Sequence, residues 1–73
     1  MKSYSDLCGI VAAGGCVIVN ASSYSYPDLR GIAAAGVDTG GKLIVKSANS
    51  KSYSDCRGIA AANPGNVTFD FSE

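Results

Sequence analysis

Three αβ repeats building a small parallel sheet with helices on one face, a short α/β solenoid, is the architecture this sequence predicts. Three observations predict it. One phrase occurs three times, as Ser3-Tyr4-Ser5-Asp6-Leu7-Cys8-Gly9-Ile10, Ser25-Tyr26-Pro27-Asp28-Leu29-Arg30-Gly31-Ile32 and Ser52-Tyr53-Ser54-Asp55-Cys56-Arg57-Gly58-Ile59. Each copy runs on into an alanine-rich stretch, a glycine or asparagine break and a short β-branched segment. The order is therefore αβαβαβ, and helical crossovers make successive strands parallel neighbours. The units fall at about residues 2–22, 23–49 and 50–73 of a single domain. The second step between copies is the longer, with four extra residues at Val37-Asp38-Thr39-Gly40 and one around Asn49-Ser50, where loops absorb insertions at small cost.

Each unit opens on a helix signal. Ser3, Ser25 and Ser52 stand three residues before Asp6, Asp28 and Asp55, a short-armed capping box with the carboxylate at the positive end of the helix dipole. Pro27 falls in a first turn, where its missing N–H costs nothing. Apolar residues follow at helical spacing: Tyr4, Leu7, Ile10 and Val11, then Tyr26, Leu29, Ile32 and Ala33, then Tyr53, Cys56, Ile59 and Ala60. Gly14, Gly36 and Asn63 are the residue types that stop helices. Gly9, Gly31 and Gly58 lie inside the helices, each costing about 1 kcal/mol relative to alanine, and a penalty repeated three times predicts close approach of another backbone there.

The strand signals are Cys16–Asn20, Lys42–Lys46 and Asn66–Phe71. Alternation places Val17, Val19, Leu43, Val45, Val67, Phe69 and Phe71 on one face, with Ile18, Asn20, Ile44, Lys46, Thr68 and Asp70 on the other. Right-handed crossovers put every helix on the same side, so the mixed face has no cover within the chain. This geometry is broadly similar to the leucine-rich-repeat architecture, although the leucine and asparagine spacing of that family is absent.

Composition narrows the function. Six basic residues balance six acidic ones, with no His and no Trp, so the chain lacks the field that gathers on nucleic acid or anionic membranes. No apolar run reaches membrane-spanning length and the N-terminal residues lack a signal-peptide core, which reads as a soluble, cytoplasmic chain. Cys8, Cys16 and Cys56 match no C-x-x-C pattern, and three unpaired thiols suit a reducing compartment. Without His, neither a usual zinc site nor a Cys-His nucleophile is expected. The expectation is no enzyme, no cofactor and no metal. By repeat position Cys56 replaces Leu7 and Leu29 and should be buried. Cys8 replaces Arg30 and Arg57, and Cys16 replaces Lys42 and Asn66, so both should be exposed.

The expected function is a structural or interaction repeat module that self-associates, most simply as a twofold homodimer. Its interface candidates are Ile18 and Ile44 on the open face and Thr68, Phe69 and Phe71 on the last strand, with Asp70 as that edge's gatekeeper. The alternative is a ligand- or peptide-binding fragment using a strip of Tyr4, Tyr26, Tyr53, Arg30 and Arg57, or the Ser-rich ends of the strands, where helix N-termini favour anions. Against the strip stands the plainer expectation that the rings pack over the sheet edge and fill space the alanines leave empty. The Asp row is explained by capping. Copies this alike suggest recent duplication, a fragment of a longer array, or an engineered scaffold.

Overall fold

The computed structural model describes residues 2–72. The elements follow in the order α1 (Tyr4–Ala12), β1 (Cys16–Asn20), α2 (Tyr26–Ala35), β2 (Lys42–Lys46), α3 (Tyr53–Ala62) and β3 (Val67–Phe69). Single 3-10 turns at Ala21–Ser23 and Ala48–Ser50 lead from β1 and β2 into the next helix. The three strands form one open, parallel sheet in chain order, with Val17 beside Leu43 and Leu43 beside Val67.

The helix starts form as the serines predict. Ser3, Ser25 and Ser52 are N-caps in extended backbone, and their hydroxyls accept from the amides of Asp6, Asp28 and Asp55 at 3.2, 3.4 and 3.2 Å. A cap of this kind stabilises a helix by about 1 kcal/mol. The stops also fall where expected: Gly36 and Asn63 are C-cap residues, and Ala13 caps α1 just before Gly14, whose φ of 96° suits only glycine comfortably.

The core lies between the sheet and the helix layer. Val17, Val19, Leu43 and Val45 are buried on the strand side, against Leu7, Val11, Leu29, Ile32, Ala33 and Ile59 from the helices. Each large aliphatic side chain withdrawn this way contributes about 1.5–3 kcal/mol of transfer free energy. Successive helices touch, α1 with α2 and α2 with α3.

The loops between helix and strand are stapled to one another. Asn63 is the one buried polar residue among the described ones; its Nδ2 donates to the Gly41 carbonyl at 3.0 Å, and its Oδ1 accepts from Asn66 Nδ2 at 3.0 Å. Gly41 in turn lies hard against the end of α1. A β-carbon there would overlap the Val11 carbonyl oxygen and stand 2.9 Å from its carbon. Thr39 Oγ1 donates to that same carbonyl at 3.4 Å.

Four expectations are corrected. β3 ends at Phe69, two residues short, because β2 gives way at Ser47 (φ 55°) to the 3-10 turn and the ladder loses its partner. Asp70 still donates its amide to Val45 and offers its carbonyl to Ala48, and its carboxylate then accepts from the amide and hydroxyl of Ser72, turning the chain away. The single extra residue of the second unit is Ser47 itself, since the buried Ala21 and Ala48 occupy equivalent places. Ile10 is 43% exposed, although its counterparts Ile32 and Ile59 are fully buried. What lies nearest to the glycines inside the helices is not backbone: Gly31 and Gly58 lie against the hydroxyl ends of tyrosines, and Gly9 faces open space.

Candidate interaction surface

On the sheet face away from the helices, Ile18, Ile44 and Thr68 are register partners and form one row across the three strands. Ile18 is 64% exposed, Ile44 half-buried between its neighbours, and Thr68 exposed. Phe69 and Phe71 do not join this row. Phe69 packs against the core on the helix side, and Phe71, 53% exposed beyond the strand end, stacks on it with ring centroids 6.0 Å apart. The five interface candidates thus make two patches, one on the open face and one on the outer flank of β3.

The tyrosines form a staircase along the helix layer instead of covering the sheet edge. A β-carbon added at Gly31 would overlap the Tyr4 hydroxyl and stand 3.0 Å from its Cε1; at Gly58 it would overlap the Tyr26 hydroxyl and stand 3.1 Å from Cε1. The hydroxyl end of each tyrosine therefore rests on the helix of the following unit, and the missing side chain of the glycine leaves room for it. Tyr53 stands at the same place in α3, which no further helix follows among the described residues, and is 78% exposed. A hydrogen bond to Cys8, and the proximity of that thiol, hold the Tyr4 phenol above its ordinary range. Arg30 and Arg57 are exposed, and Arg30 shares a groove with Tyr26, Pro27, Gly31, Ala34 and Ala62.

Alanine substitution separates these equivalent glycines by the size of the gain. Gly9→Ala should stabilise the chain by about 0.5–1 kcal/mol, the helix-propensity gain with nothing in the way. Gly31→Ala and Gly58→Ala should forfeit most of that gain and fall within about 0.5 kcal/mol of the wild type, since each must push aside the hydroxyl end of a part-exposed tyrosine. Urea denaturation reads all three, and equal shifts would mean that the rings do not rest on the glycines.

The cysteines are free and differ in depth: Cys16 is exposed, Cys8 half-buried and Cys56 buried. Cys16 and Cys56 match their repeat positions. Cys8 does not, because its side chain is too short to reach solvent from a place where Arg30 and Arg57 extend outward. Burial pushes the Cys56 thiol above its ordinary range, with Asp55 adding to the shift and Lys51 opposing it. A disulfide reagent should react first at Cys16, then at Cys8, and at Cys56 only on unfolding. The folded Cys56 keeps its proton where the unfolded thiol has lost it, so stability should fall as pH rises through about 8.5. A melt unchanged from neutral pH to a unit or more above that value would show that Cys56 is solvated.

Other candidate chemistry is absorbed locally. First-turn amides at Asp6, Asp28 and Asp55 are already satisfied by the serines, and Asn20 accepts from both the amide and the hydroxyl of Ser22 at the strand end. Among the described residues no group of three or more Cys, Asp or Glu gathers where it could hold a metal ion. No helix among them is long and apolar enough to cross a membrane. Comparison with protein-family models, with curated proteins and with solved structures finds no match.

Proposed function

We propose that this chain is a non-enzymatic interaction module that works by associating with copies of itself. The observation that carries the reading is the uncovered apolar surface: a strand face bearing Ile18 and Ile44 with no helix over it among the described residues, in a sheet whose outer strands each have one neighbour. Unpaired parallel edges beside exposed aliphatic and aromatic side chains favour pairing with another chain. Balanced charge keeps long-range repulsion between copies small and gives nucleic acid no reason to bind. Three free thiols fit a reducing compartment, the cytoplasm. Sedimentation velocity from micromolar to millimolar concentration tests the reading. Growth of the average mass with concentration supports it, and a 7.4 kDa monomer throughout would end it.

A ligand-binding role is the second reading, favoured by the groove that Tyr26 and Arg30 share. Arg30 is exposed, so Arg30→Ala should leave the melt unchanged while abolishing capture of an acidic aromatic peptide. No change in tyrosine fluorescence on titrating such a peptide into the wild type would dispose of this role.

A further inference from the structure

We infer that copies of this chain add head to tail, with Tyr53 of one copy seated on Gly9 of the next. This rests on the self-association proposed above and gives it a polarity. Inside the chain one contact is made twice, Tyr4 on Gly31 and Tyr26 on Gly58, always from one unit to the glycine of the unit after it. Carried a step further at each end, the rule leaves a ring without a seat and a seat without a ring. Tyr53 stands out into solvent, and a β-carbon at Gly9 would meet nothing within 4 Å.

Two further features obey the same step. Ile32 and Ile59 are fully buried, each in a unit that has another before it, whereas Ile10 is exposed and lines a depression with Ser5, Asp6, Gly9 and Ala13. At the other end Val67 and Phe69 are half-buried, although Leu43 and Val45, their register partners, are fully buried. Continuing the observed register would set Val67 beside Val17 and Phe69 beside Val19 of the next copy, joining the open edges of β3 and β1. One end supplies the ring and the bare strand edge; the opposite end supplies the glycine seat, the uncovered isoleucine and the matching edge.

The occupant is a second copy because both halves of the contact are present on one molecule, in the geometry the chain already uses twice. The two surfaces differ and lie at opposite ends, so the interface is heterologous, and each joined pair keeps a free ring and a free seat. Such contacts grow into rings or open filaments, whereas a twofold interface stops at the dimer.

The test uses two variants whose own folds are spared, Gly9→Ala, which fills the seat, and Tyr53→Ala, which removes the ring. Thermal melts should place neither below the wild type by more than a few degrees. Wild-type chains should pass beyond dimer mass in sedimentation as concentration rises, and each variant alone should associate at least about tenfold more weakly. Mixed in equal amounts, the variants should form a heterodimer and nothing larger, because one intact ring meets one intact seat. Variants that associate as tightly as the wild type, or a mixture that fails to pair, would overturn the head-to-tail contact while leaving self-association standing. A wild-type chain that stays monomeric would remove both.

Discussion

Gly41→Ala should cost about 3 kcal/mol or more, a large share of the roughly 5 kcal/mol available to a domain this small. Gly41 sits just before β2, where the loop after α2 crosses the end of α1. The added β-carbon would overlap the carbonyl oxygen of Val11 and approach its carbon to 2.9 Å. That obstacle is backbone, in the last turn of a helix whose Val11 side chain is wholly buried, so no rotamer change relieves it. Gly36 is confined in the same place, since a β-carbon there would stand 2.6 Å from the Gly41 oxygen, so the loop cannot retreat toward it freely. The expected result is a thermal melt far below that of the wild type, in contrast to the gain at Gly9. A Gly41→Ala protein that melts within a few degrees of the wild type would show that α1 and this loop have room to part.

Asn63→Ala should cost about 2–4 kcal/mol through a different mechanism. The side chain is buried and bonds in two directions, donating to Gly41 and accepting from Asn66. Alanine leaves the Gly41 carbonyl without this donor, leaves the Asn66 amide without this acceptor, and opens a cavity between two loops. Asn63→Asp separates bonding from volume: the shape is kept, the donor is lost and a negative charge is turned toward a carbonyl oxygen. It should be at least as damaging as alanine. Because Gly41 is partner to both effects, the losses at Gly41 and Asn63 should not add, and a double-mutant cycle by urea denaturation would show the coupling. Wild-type stability in Asn63→Asp would mean that the two loops are held by something other than this amide.

The two sites differ in how far local sequence announces them. Asn63 is legible as a helix stop, since it occupies the repeat place of Gly14 and Gly36. Its inward amide is not, because the bond runs to a carbonyl in the preceding unit. Gly41 stands next to Gly40, whose positive φ of 81° marks a turn, and nothing in that pair says which glycine lies against a helix end. Phe71 is a similar case. Its alternation with Phe69 is that of a strand, yet a strand extends only as far as its neighbour, and β2 stops at Lys46.

The sequence by itself determined the kind and order of the elements, the serine caps, the helix stops and the buried faces of the strands, because each depends on residues within a turn or two. Only the tertiary structure decided what equivalent residues do. Tyr4 and Tyr26 are seated while Tyr53 is not; Gly31 and Gly58 are covered while Gly9 is not; Ile32 and Ile59 are sealed while Ile10 is not. Three like copies carry the same local instructions. Burial, however, is a property of the neighbour, and the outer units of a stack have one neighbour where the middle unit has two.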